Sequence, residues 1–311
     1  MIVAADAAQW DQLYDLPLLE RLGPAQDEVI AHVAQVNTST GVAAQPTSKQ
    51  VDADFHADVR AAMATMPASV QALLDGVLLG VGFARQLGSS AISDIVVSSE
   101  GVILGVVVAL DVEAFEARTA NAWATWKENT PFTPQDGYRL EAQIAAPEDD
   151  NRQRALQYLL LHEFGHVLAA GRGLLPEWWN AAQAMRSAHD YHYLPLTWQI
   201  TPALQVVPLP GNDFSLRADV VYYQAPRLAA SQMRDAYAQL QGTNFATLYA
   251  ATSMHEDFAE SFASYVHAVM LGQPQHIRIF HNNALLLQFD GYWKTERSTA
   301  KRRLLKQLLG K

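Results

Sequence analysis

The chain has 311 residues, half of them apolar, a formal charge of −10 and no cysteine. That content is enough to fill a core and excludes a fibrous or wholly disordered chain; the acidic balance disfavours phosphate backbones and anionic lipid surfaces, so neither nucleic acid nor membrane insertion is expected. Without cysteine there is no disulfide staple, thiolate metal site or cysteine nucleophile, and any metal must be held by imidazole and carboxylate.

The opening residues Met1-Ile2-Val3-Ala4-Ala5-Asp6 lack the basic and apolar regions of a signal peptide. Residues 1–33, broken by Pro17 and by Gly23-Pro24, predict short helices, and 35–50, rich in Asn, Thr, Ser, Gly, Gln and Pro, predict a loop or linker. Residues 1–60 are therefore expected as N-terminal helical segments and a linker ahead of a main domain over 61–311. A helix opens at Pro67 and runs to about residue 86. It contains the longest apolar stretch, 77–84, far short of the roughly 18 residues a membrane span needs. The β-branched runs at 95–97 and 102–110, either side of Ser98-Ser99-Glu100-Gly101, predict a hairpin. A helix over 112–127 follows. Leu140, Ala142 and Ile144 alternate with Arg139, Glu141 and Gln143, which predicts a strand over 138–145.

Pro147-Glu148-Asp149-Asp150 puts proline and acids where a helix N-terminus favours them, and the helix continues to Ala170 before Gly171 ends it. Another helix begins at Pro176-Glu177-Trp178-Trp179. The stretch 191–226, rich in proline and aromatics, has no clean period and belongs to an insertion at about 171–245. Helices are predicted at 229–241 and 254–271. A basic amphipathic helix closes the chain at 297–309, its Lys301, Arg302, Arg303 and Lys306 reading as a solvated face.

The helix before Gly171 carries His162-Glu163-Phe164-Gly165-His166. Histidines at i and i+4 lie about 40° apart and one turn along the axis, so both imidazoles reach one ion, while the residue after the first points about 100° away. Glu163 then stands beside the metal, positioned to take a proton from water. The flanking Leu156, Leu159, Leu160, Leu161, Val167 and Leu168 make this a buried helix, where polar groups are expensive to desolvate without a metal or partners.

No third histidine follows at short range, so a third ligand must come from elsewhere. The richest source is the helix from Met254, with His255, Glu256, Asp257 and Glu260 in two turns; Glu256 and Glu260 share one face. His267 shares that face by angle but sits roughly 16 Å further along the axis from Glu256. Ser253 with Glu256 three residues on is also a capping-box pattern, so Glu256 reads as ligand or as cap. His189 and His192, three apart in the insertion, read as a second ion site or as exposed histidines.

His162-Glu163-x-x-His166 together with Tyr249, Glu256 and Glu260, in the spacing Tyr-x6-Glu-x3-Glu, resembles the gluzincin peptidases, in the group similar to anthrax lethal factor and the proline-specific secreted endopeptidases. The resemblance covers about 150–260. It implies one Zn2+ held by His162, His166 and Glu256, a Tyr249 phenol donating to the oxyanion, and Glu260 holding a zinc histidine. It also implies an α+β zincin-like fold: a small twisted, mostly antiparallel sheet, the motif helix beneath it and a C-terminal helical part supplying the glutamate. The chain departs from the pattern in length, since about ninety residues separate His166 from Glu256. The expected function is hydrolysis of a peptide or protein substrate that adds to the strand at 138–145. The alternative is a zinc-bearing regulatory or partner-binding protein with weak or no peptidase activity. The likeness to secreted peptidases leans toward an exported bacterial protein.

Overall fold

A computed structural model describes residues 1–180 and 187–310. In chain order its strands are β1 (Ile2–Val3), β2 (Leu22–Pro24), β3 (Thr47–Ser48), β4 (Leu78–Arg85), β5 (Ala91–Val97), β6 (Ile103–Asp111), β7 (Phe132–Thr133), β8 (Tyr138–Gln143), β9 (Trp198–Ile200), β10 (Val206–Pro208), β11 (Leu228–Ala229), β12 (His276–His281) and β13 (Ala284–Asp290). Its helices are α1 (Ala7–Asp11), α2 (Asp27–Thr40), α3 (Ala53–Ala64), α4 (Ala68–Asp75), α5 (Ala120–Asn129), α6 (Arg152–Ala169), α7 (Met233–Leu240), α8 (Met254–Tyr265) and α9 (Thr299–Leu308). The mixture is α+β. The chain divides into two compact units, one of Met1–Thr119 with Asn151–Ala170, the other of Ala120–Asp150 with Gly171–Lys311.

The first unit is built on a sheet of order β1-β5-β6-β4-β2, with β3 also on β4. The expectation of a mostly antiparallel sheet is corrected here. β1/β5, β2/β4 and β4/β6 are parallel, and only β5/β6 and β3/β4 are antiparallel. The predicted hairpin is the β5/β6 pair, and the parallel partners on either side come from segments that sequence periodicity reads poorly. Residues 1–60, expected as helices and a linker, also supply three short strands. Within 35–50, α2 continues to Thr40, where Gly41 ends it at φ +74°, and Asn37 bonds the carbonyls of Ala44 and Leu87.

The helix expected over 67–86 stops at Asp75, and 78–85 is strand β4. Gly80 and Gly82 explain the change. Both are poor helix formers, and a Cβ at Gly82 would stand 2.8 Å from the Ala25 Cα, so only glycine admits the neighbouring chain this closely. Trp10, Val29, Val33, Leu79, Val107 and Ala109 form a core with α1 and α2. The alternate residues Val106, Val108 and Leu110 are buried too, which strand pleating turns to the other face, and α6 packs against β5 and β6.

In the second unit β8 is not part of that sheet. It is the edge of a three-stranded antiparallel sheet of order β13-β12-β8. The β12/β13 hairpin turns at Asn282 and Asn283, both at positive φ, a conformation asparagine tolerates. The core of this unit holds Phe258, Ala259, Phe262 and Ala263 of α8, with the Tyr265 and Trp293 rings 5.2 Å apart edge to face. Among the described residues no helix is long and apolar enough to cross a membrane.

Candidate metal centre

The motif helix α6 starts where Asn151, in extended conformation, accepts a bond from the Arg154 amide. Such a cap satisfies an amide that has no partner within the helix. From there α6 is buried on nearly every side: the sheet covers one flank, α3 and α4 also pack on it, and Arg152 pairs with Asp58 of α3 at 2.7 Å. This is why its sequence is almost continuously apolar rather than amphipathic. His162 and Glu163 sit in this setting at 6% and 4% exposure, and His166 is half-buried.

The two imidazoles turn their Nε2 atoms toward each other at 3.3 Å, with ring planes at 81°. Two nitrogens each about 2.0–2.1 Å from one tetrahedral zinc ion lie about 3.3 Å apart, so the observed spacing would admit a shared ion as well as a direct N–H···N bond. Glu163 points elsewhere, as its 100° offset requires. Its Oε2 accepts a bond of 2.9 Å from the Ser93 hydroxyl of β5. That donor fixes the orientation of the buried carboxyl group. Ser93 had no signal in the sequence beyond being a hydroxyl in an apolar strand.

In the second unit, Ser253 caps α8 by accepting from the Glu256 amide at 3.2 Å, so Ser253 is the N-cap that the capping-box pattern anticipates. Glu256 is half-buried in the first turn. Glu260, one turn on, is fully buried and accepts a bond of 2.7 Å from Lys127 of α5. Lys127 also lies 3.8 Å from Glu128, whose other oxygen takes bonds from the Tyr222 and Tyr237 hydroxyls. Burial pulls the Lys127 ammonium down, but attraction by Glu260 and Glu128 outweighs it and lifts the group above the ordinary lysine range. Burial raises the Glu128 carboxyl despite the pull of Lys127. Half-buried Tyr249 offers its ring face to the Lys127 ammonium, 4.7 Å from the centroid, and lies 4.5 Å from the Tyr222 ring. Lys127 was readable in principle, because it falls in register with Ala120, Trp123 and Ala124 on the buried face of α5.

Of the residues expected to hold a metal, His162 and His166 lie in the first unit and Glu256 in the second; two imidazoles and a carboxylate are, among the described residues, a donor set that could hold a metal ion. His189 and His192 are exposed and outside it. Two other expectations are corrected. The closing helix is not a wholly solvated basic face, because Lys301 is fully buried against Asp257. Nor is β8 an open edge for a substrate. Thr125 bonds both the amide and the carbonyl of Ala142, Asn129 the carbonyl of Leu140, and Asn121 the amides of Ile144 and Ala145. Side chains of α5 thus occupy the backbone groups an incoming strand would need. Comparison of the chain with protein-family models, curated proteins and solved structures returned no match.

Proposed function

We propose that the chain is a zinc-dependent peptidase of the gluzincin type with a zincin-like fold, holding one Zn2+ on His162, His166 and Glu256. The observation that carries the reading is the 3.3 Å separation of the two Nε2 atoms on a buried helix, with Glu163 beside them. The donor set of two imidazoles and one carboxylate suits zinc and leaves a coordination position open. A zinc ion bound there supplies a Lewis acid that acidifies water toward neutrality and polarises a carbonyl.

The protein's own residues do the rest. Glu163, held by Ser93, takes the proton of the attacking water and returns it to the leaving amine. Tyr249 donates its hydroxyl to the oxyanion, and the neighbouring Lys127 ammonium favours negative charge there. Glu260 orients a histidine ligand and is itself held by the Lys127 ammonium. The peptide lies along β5, the strand that carries Ser93: among the described residues β1 pairs only with Val96 and Val97, so residues 91–95 have a strand partner on the β6 side alone. An extended peptide adding to that edge would pass beside Glu163.

The test combines metal analysis with cleavage of a mixed peptide library. One zinc per chain is expected, lost in Glu256→Ala, with cleavage reduced at least about 100-fold in Glu163→Gln while zinc is retained. Equal cleavage by wild type and Glu163→Gln, or none by either at saturating zinc, would favour the partner-binding alternative.

A further inference from the structure

The second unit contains a pocket of about 620 Å³ that the peptidase reading does not use. Its size lies within the roughly 300–1,000 Å³ of small-molecule sites. The wall on one side is a π-helical turn, Val266–Met270, that continues α8. Such widened turns are rare and recur at functional sites. The loop after it is held in place: the Gln273 amide bonds the His267 carbonyl at 3.0 Å, and His267 Nε2 lies 3.1 Å from the Pro274 carbonyl.

The lining has an unusual charge for this chain. His276, Lys294 and Arg302 all contribute, and among the described residues no carboxylate does, although the protein carries a formal charge of −10. His276 is paired with Asp290. Arg302 has no carboxylate partner among the described residues; one terminal nitrogen donates to Ser298 at 3.2 Å, and its buried Nε has no acceptor. A buried cationic donor without an acceptor is costly, and an incoming anion would remove that cost. The remaining walls are apolar, including Pro147, Val269 and Trp293. The Trp293 indole N–H already donates to Ser264 at 3.0 Å, so this residue offers the pocket ring carbons. Val269 is 40% exposed.

We propose that this pocket binds a small monocarboxylate with an apolar body. The guanidinium of Arg302 takes the carboxylate, Lys294 adds positive charge at the rim, and the body packs against Trp293, Val269 and Pro147. Apolar walls distinguish this ligand from inorganic phosphate, whose hydration they cannot replace. Arginine suits the carboxylate because its planar fork can donate two parallel bonds.

The experiment is calorimetric titration of the full chain with 3-phenylpropionate, with 3-phenyl-1-propanol and inorganic phosphate as controls. It is run before and after metal removal by 1,10-phenanthroline and dialysis, because carboxylates also bind zinc. Saturable one-site binding is expected, about tenfold or more weaker for the alcohol and for phosphate, and unchanged by metal removal. Arg302→Gln should weaken it at least about tenfold. Val269→Trp, a substitution at an exposed wall residue, should block it by filling the pocket, and decides the matter if Arg302→Gln does not fold. Absence of saturation up to about 10 mM, a Kd weaker than most specific small ligands reach, would overturn the proposal. So would loss of binding with the metal, equal binding of phosphate, or unaltered binding in folded Arg302→Gln or in Val269→Trp.

Discussion

Two lysines reach α8 from different elements, Lys127 from α5 and Lys301 from α9, and both bury their ammonium groups against its carboxylates. Burial drives Lys301 below the ordinary lysine range and Asp257 above the ordinary carboxylate range, each only partly offset by the other. Lys127 ends on the other side, held above its ordinary range because it faces Glu260 and Glu128 together. The difference lies in the count of acids around each cation. Asp257 and Lys301 form a closed pair, completed by Trp198 Nε1 on the carboxylate and by Tyr193 bonding the Asp257 carbonyl and Ser261. The Lys127 cluster carries an excess of carboxylate, which suits a region proposed to orient ligands of a cation, whereas the Lys301 pair serves to join α9 to α8.

That contrast can be broken by removing each cation. Lys127→Met strands two buried carboxylates and is expected to be the most destabilising change, at or above the upper end of the about 3–5 kcal/mol typical of a broken buried pair. Lys301→Met strands one and should fall within that range. Urea unfolding at neutral pH measures both, and a Lys301→Met loss equal to or larger than that of Lys127→Met would erase the distinction. Ser253→Ala removes the N-cap of the helix from which both pairs hang, for a loss of about 1 kcal/mol. It should add equally to either lysine variant; unequal addition would show that the first turn of α8 serves one cluster alone.

The finest test uses Glu128→Gln and reads a slope. Burial raises the folded-state pKa of Glu128 above the ordinary glutamate range, so the folded chain holds this proton to higher pH than the unfolded chain does. The stabilisation from that proton is complete below the unfolded pKa and is lost as pH rises through the folded one. Unfolding midpoints followed from about pH 4 to about pH 7 should therefore shift in favour of Glu128→Gln as pH rises. A shift the other way would mean that the Lys127 attraction outweighs the cost of burying the charged carboxylate.

Local pattern made some of this molecule readable. Alternation and β-branching located β5, β6 and β8, and the i, i+4 histidines of α6 converge as helical spacing requires. It misread 67–86 because an apolar run with two glycines reads equally as the end of a helix or as a buried strand. Local periodicity does not single out the β12/β13 hairpin, although Asn282-Asn283 marks its turn. Ser93 and Lys127 act through residues 70 and 133 positions away, and nothing at those distances is visible to local periodicity.

By itself, the sequence determined which chemistry is available: no thiols, two imidazoles one helical turn apart, a carboxylate between them, and acids crowded on α8. Tertiary structure alone decided that the sheet is mixed, that α5 closes the β8 edge, that Lys301 is buried while its helix neighbours Arg303 and Lys306 are exposed, and that Arg302 faces a pocket with its Nε unsatisfied. The reason is physical. Residue type and short-range spacing set what a side chain can do, whereas burial, partner and charge state depend on which distant segments share its surroundings.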